Sequence, residues 1–320
     1  MQDTRTPLGI DEADERRAFV AAASLISRLD ECRLRLAEIR ELYHPVAERR
    51  EAAAIATVEG ASSRPEAIAR LMSDPEATMM ERGSRTAADI ARALAATRTW
   101  DSSGPSAAAI SETFRISDAS TARLIRPDMA WSLEEDCEFT AGELAKASET
   151  PEPWTAIEAL RLIWTSGRFF GHSRRMALIA APWLLSKGFG CSMPFIGLAD
   201  HVRRSPEAYR RAEGDQEEWA ILIARTVAAA ASDQISRVGD LMALRRTFAA
   251  LCPSERSSSS VGKAIDLLIE SPVISAKAFA ERLGLTPRGA KVVLDKLEEA
   301  RIVEVEGGAR NRVFVCRRAL

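Results

Sequence analysis

Apolar residues recur every three to four positions over most of this chain, a period that predicts helices. Phe19, Val20, Leu25 and Ile26 mark a first one; Leu29, Cys32, Leu36, Ile39 and Leu42 line one face of a second. A third has Pro45 near its start and runs through Ala52 to Val58. Dense Arg and Glu on the remaining faces read as solvated i,i+4 pairs. Ala67–Met72 and Ala87–Thr97 predict two shorter helices, after which Asp101-Ser102-Ser103-Gly104-Pro105 breaks the pattern. Ala109, Ile110, Phe114 and Ile116, then Ala122 and Leu124, suggest a short helical pair with Ser117 or Asp118 as the cap between. Glu134 to Lys146 is amphipathic, and Ser148 to Trp154 forms a proline-stiffened connection. Two mostly apolar helices follow around a loop rich in Gly and Arg, and such helices belong at the centre of a bundle. Pro206–Arg211 and Glu217–Arg245 supply further helices, the longer one displaying Trp219, Ile221, Leu222 and Ile223. The polar run PSERSSSS, 253–260, reads as an interdomain linker.

Beyond that linker the pattern is sharper. Val261 to Glu270 predicts a helix that buries Ile265, Leu268 and Ile269. Ser275 is a good N-cap for a second helix carrying Ala278, Phe279 and Leu283, and Gly284 suits its end. Thr286 then caps a third helix with Pro287 in its first position. Ala290, Val293, Leu294 and Leu297 form its buried stripe, and its other face carries Arg288, Lys291 and Lys296. After Arg301 the period drops to two: Ile302, Glu304 and Glu306 alternate with Val303 and Val305. Gly307-Gly308 makes a turn, and Arg310 and Arg312 interleave with Val313 and Val315. Two helices at a tight turn followed by a basic-tipped hairpin describe a winged helix-turn-helix. In that arrangement Arg288 and Lys291 are placed for base edges, Thr286 and Lys296 for phosphates, and Arg310 and Arg312 reach from the wing. The acids Asp295, Glu298 and Glu299 lie at the far end of the same helix; a protein-binding winged helix is the competing use of such a module. The pair at 106–126 reads as a packing unit, or as a second helix-turn-helix.

Composition narrows the classes. The chain has 320 residues, room for two domains, and its Ala- and Arg-rich, aromatic-poor make-up favours helix over sheet. The longest apolar run, Met176 to Leu185, is about half of what a bilayer requires. The acidic, polar start resembles no signal or transit peptide. Five scattered cysteines without CxxC spacing read as thiols of a reducing compartment, and the three histidines show no metal-ligand spacing. The formal charge of −2 is uneven: 259–320 holds 11 Lys/Arg against 8 Asp/Glu, so the tail is basic and the rest acidic. A basic module on an acidic body suits the binding of nucleic acid through the tail alone.

Two resemblances can be named. Glu51-Ala52 with Glu59-Gly60, the helix from Trp154 to Leu162, and LIESPVISAKAFAERLGLTPRGAK are similar to an uncharacterised bacterial family. That family joins a helical domain of unknown function to a C-terminal helix-turn-helix DNA-binding domain. The tail phrase ending GARNRVFV also resembles the Fic family, whose members transfer nucleotide groups and often end in a similar winged helix. That family's signature is His-Pro-Phe-x-Asp/Glu-Gly-Asn-Gly-Arg-x-x-Arg, on a loop between two buried helices. The equivalent stretch here is WTSGRFFGHSRR, Trp164 to Arg175. Trp164 falls at the catalytic His, Arg168 at the metal-binding acid, Phe170 at the Asn and His172 at the first Arg; only Gly171 and Arg175 match. The resemblance implies a general base, a Mg²⁺ ligand and a phosphate cradle at those positions, and base, ligand and first Arg are replaced. Glu59-Gly60 resembles the end of that family's autoinhibitory helix, with Ile55 where a hydroxyl residue is expected. The resemblance implies an inherited scaffold without its chemistry.

The same loop offers two other readings: Arg168, Arg174 and Arg175 bind an anion at a helix N-terminus, or they pair with carboxylates of neighbouring helices. The expectation is a mainly α protein: a Fic-like helical bundle over 1–252, a linker at 253–260, and a winged helix-turn-helix over 261–320 with a small β-hairpin wing. It is expected to be cytoplasmic, to bind double-stranded DNA as a homodimeric transcriptional regulator, and to lack catalytic residues, metal and cofactor. The body is a candidate surface for a protein partner. The competing classes are a Fic-like transferase moving AMP onto protein hydroxyls and a non-catalytic interaction scaffold.

Overall fold

The computed structural model describes residues 12–35, 37–74, 82–119, 127–192, 194–252, 260–307 and 312–320. Among them the chain is mainly helical, with one small sheet. In order come α1 (Glu12–Arg35), α2 (Ala37–Val58), α3 (Pro65–Ser73), α4 (Arg82–Thr97), α5 (Ala107–Ser117), α6 (Pro127–Glu149) and α7 (Pro153–Thr165). Then follow α8 (Ser173–Gly188), α9 (Leu198–Arg204), α10 (Pro206–Ala212), α11 (Gln216–Leu251), α12 (Ser260–Glu270), α13 (Ala276–Leu283) and α14 (Pro287–Glu299). The strands are β1 (Val273–Ser275), β2 (Glu304–Glu306) and β3 (Val313–Val315). Pro45, expected near a helix start, lies inside α2; its missing N–H removes one i→i−4 bond there. The predicted linker 253–260 falls outside the described residues except for Ser260, which opens α12, and so does the second helix of the pair around 106–126.

The chain divides into two compact units. The first holds the described parts of Met1–Glu31, Ala96–Arg115 and Ser120–Gln234. Its centre is the α7–α8 pair: almost every residue of α8 is buried, as its lack of a polar face requires. The two helices meet closely at one end, where a Cβ on Gly188 would come within 2.5 Å of the Ala156 Cβ and 3.0 Å of the Glu152 carbonyl oxygen. Only glycine fits there. All six tryptophans belong to this unit, and three aromatic rings stack inside it. Trp164 and Trp219 centroids are 5.4 Å apart, with Tyr209 6.3 Å from each.

The second unit comprises the described parts of Cys32–Ala95, Ile116–Ala119 and Ile235–Leu320. The grouping differs from a division at the serine-rich run, because the tail shares its interior with residues far upstream. Ile265, Leu268, Phe279, Leu294, Leu297 and Phe314 form one core together with Leu42 and Phe248. The sheet is antiparallel in the order β1-β3-β2, with Val273 and Glu304 both opposite Val315. Its central strand is apolar on both sides, as a doubly covered strand must be. Phe314 enters the helical core, while Val273 and Val315 pack on Ala69 of α3. Side chains fasten the same elements. Ser73 donates to the carbonyl of Val273, Arg70 pairs with Glu306 at 2.7 Å, and Arg317 reaches Glu66 at 3.2 Å. Arg49, buried in α2, donates to the carbonyls of Glu270 and, at 3.3 Å, Ile269, satisfying the C-terminal end of α12.

Candidate nucleic-acid interface

The order helix, short turn, helix, antiparallel strands occurs in the tail as the sequence predicts, within one unit. Ser275 Oγ accepts from the Ala278 N–H at 3.2 Å and starts α13. Gly284 ends it in the left-handed region at φ 63°, where glycine carries no Cβ penalty. Thr286 Oγ1 then accepts from the Gly289 N–H at 3.1 Å, with Pro287 in the first helical position of α14. The turn is therefore set by the left-handed Gly284 that ends α13 and by the Thr286 cap that opens α14. Ala290, Val293, Leu294 and Leu297 are buried as one stripe.

The opposite face of α14 carries the chemistry. Arg288 and Lys291 are exposed on its first half, and no acid stands in the first turn. The helix dipole adds its positive end at the same place. Val292, one turn after Arg288, is 52% exposed. Sequence reading passed over it; the signal was an apolar residue beside the buried stripe without belonging to it. An exposed methyl pair between two cations suits contact with the thymine methyl in a major groove. Lys296 is exposed in the last turn with Glu298 and Glu299. Arg312 is exposed and lies 3.6 Å from Glu298, its guanidinium 5.4 Å from the Phe314 ring centroid. Arg310 lies outside the described residues. The structure thus brings Thr286, Arg288 and Lys291 to one exposed edge, with Lys296 and Arg312 at the other, acid-bearing end of the helix.

No family model matches the chain, and no curated protein does. Among solved structures it is similar to a Fic family protein from Desulfovibrio desulfuricans G20, at 12% identity over 98% of either chain and a TM-score of 0.49. No residue role passes from that protein to this one.

The loop between α7 and α8 belongs to the first unit. Trp164 is buried in the aromatic stack, and an indole has no lone pair with which to take a proton. Asp136 of α6 accepts from Arg168 at 2.9 Å and from the Phe169 N–H at 2.6 Å. Arg168 also lies over the Phe139 ring, 4.4 Å from its centroid. Arg174 donates to both carboxylate oxygens of Glu213, at 2.8 and 3.2 Å, and Arg175 is buried with interactions of its own. The guanidiniums of Arg168 and Arg174 are thus engaged by acids of other elements. Ser173 Oγ donates to the Trp164 carbonyl at 3.0 Å and closes the loop. Among the described residues no three His, Cys, Asp or Glu side chains gather as metal ligands, and no helix is long and apolar enough to cross a membrane.

Proposed function

We propose that the chain binds double-stranded DNA through α14 and acts as a transcriptional regulator. The observation that carries this is the exposed pair Arg288 and Lys291 on the leading half of a helix whose entry is fixed by the Thr286 cap. Arg288 and Lys291 would read base edges, with Val292 against a thymine methyl. Thr286 and Lys296 would contact phosphate, and Arg310 and Arg312 the backbone beside the wing. One such module covers too little DNA for high specificity, so a homodimer on paired half-sites is part of the proposal.

Selection of duplex DNA from a random pool at two salt concentrations tests it. Arg288→Ala/Lys291→Ala should relax sequence preference, each bidentate base contact being worth about 1–3 kcal/mol of discrimination. Arg310→Ala should lower affinity evenly over all sequences and reduce the salt slope by about one. Equal affinity of the wild type and the double variant for the selected site would refute the assignment.

We also infer that the loop from Trp164 to Arg175 is structural. What supports this is the engagement of Arg168 by Asp136 and of Arg174 by Glu213. Incubation with labelled ATP and Mg²⁺ should leave the protein and added substrates unlabelled; label on a hydroxyl of either would reinstate a transferase.

A further inference from the structure

Trp131 differs from every other tryptophan of the chain. Trp100, Trp164, Trp183 and Trp219 are buried and Trp154 is half-buried, whereas Trp131, in the second turn of α6, is 67% exposed. Helical spacing explains how. Leu133, Cys137, Thr140 and Leu144, at i, i+4, i+7 and i+11, are the buried side of α6. Trp131, Glu135 and Glu138, at i, i+4 and i+7, run along its outer side, with Glu134 beside them, all exposed. Among the described residues no aromatic or cationic side chain covers the Trp131 ring, and Glu134, Glu135 and Glu138 have no ion-pair partner. Two neighbouring cations are engaged elsewhere, Arg168 by Asp136 and Lys146 by Glu143. Arg115 of α5 adds one positive charge near Cys137, and against three carboxylates it leaves this face acidic.

We infer that the outer face of α6 docks a basic segment of another protein, whose Lys or Arg side chains lie on the Trp131 indole and end on the three glutamates. Each half of the face is unfavourable in the chain alone. The indole keeps a large apolar area in water, and Glu138 repels Glu134 at i,i+4 and Glu135 at i,i+3 spacing. A cationic partner relieves both at once, because its side chains combine an apolar stem with a charged head and stack on an aromatic face. Tryptophan is also the residue type most enriched among those that dominate binding energy at interfaces. An uncharged apolar partner would leave the carboxylates repelling one another, and the same carboxylates would repel a nucleic acid.

Fluorescence anisotropy on the full chain tests this near physiological salt, about 0.15 M. The probe is a labelled helical peptide of Lys, Leu and Ala, about 15 residues long; the same peptide with Glu for each Lys is the control. The lysine peptide should bind saturably at one equivalent, and the glutamate peptide should not. Trp131→Ala should weaken the lysine peptide by about tenfold or more, as loss of an interface anchor does. Glu134→Gln/Glu135→Gln/Glu138→Gln should weaken it similarly. Glu207→Gln/Glu217→Gln/Glu218→Gln removes the same charge from exposed acids of α10 and α11 and should leave the affinity unchanged. A readout that needs no variant is acrylamide quenching: the accessible share of the tryptophan emission should fall when the peptide binds. Equal affinity of Trp131→Ala and wild type would overturn the inference. So would equal weakening by the two triple variants, emission that the peptide does not shield, or no saturable binding of the lysine peptide up to millimolar concentration. None of these outcomes bears on α14, so this inference and the DNA reading fail separately.

Discussion

Asp136 holds a stretch of backbone that its own residues disfavour. Phe169 and Phe170 both have φ of 55°, between Gly167 at 67° and Gly171 at 88°. A bulky residue in that region costs about 1–3 kcal/mol. The cost is offset by Phe169 packing fully buried against Phe114, ring centroids 5.3 Å apart, and by the Asp136 carboxylate accepting from the Phe169 N–H and Arg168. Asp136→Ala leaves a buried N–H and a guanidinium without an acceptor, and it should destabilise the protein by about 3 kcal/mol in urea titration. The sequence announced glycines and arginines in this loop and an amphipathic helix from Glu134 to Lys146. It could not announce the pairing, because Asp136 and Phe169 are brought together only by helix packing. Of the two readings of the arginines, carboxylate pairing is what Arg168 and Arg174 do. Burial governs two thiols in the same residue-level way. It pushes Cys137 and Cys316 up to about 11 from an ordinary value near 9, against weaker opposing hydrogen bonds. A pKa raised in the folded state contributes stability that is complete below pH 9 and lost as pH rises toward 11. Denaturation midpoints should therefore fall across that window, and less steeply in Cys137→Ser/Cys316→Ser.

At the scale of elements, the caps decide where the proposed reading helix begins. Thr286→Ala removes the acceptor of the Gly289 N–H, which should cost about 1 kcal/mol in thermal melts. Gly284→Ala forces a Cβ into the left-handed region at φ 63° and should cost about the same. These features were legible because caps are written locally: Ser275, Gly284, Thr286 and Pro287 each act within three residues of themselves. β1 was not legible. Val273 and Ile274 are too short a run to show a period, and only pairing with β3 makes them a strand. Val313-Phe314-Val315 did contain a hint, since an uninterrupted apolar run asks for cover on both faces. Ala69 of α3 meets one of those faces, yet nothing in the run names the helix that supplies it.

For the whole molecule, the lesson concerns what a tail needs in order to fold. The run PSERSSSS, read as a linker, lies outside the described residues except for Ser260. The tail draws on α2 and α3 through a shared core and through Arg49, Ser73 and Arg70. Burial pulls the Arg49 guanidinium down to about 10, opposed by Glu270 and Glu48, so it remains charged near neutrality. Arg49→Met strips the donors from two helix-terminal carbonyls and should destabilise the second unit by about 3 kcal/mol, read by hydrogen exchange in α12. A fragment of 260–320 alone should be far less protected than the same residues in the full chain, since it lacks the cover over Val273 and Val315.

The distribution of indole rings has a practical corollary. With every tryptophan in the first unit and Trp164 and Trp219 stacked at its centre, intrinsic tryptophan emission watches that unit alone. The half carrying the proposed reading helix has no indole of its own. One new indole there, such as Val292→Trp on the exposed face of α14, would give DNA a local reporter against a background that stays constant while the first unit holds its fold.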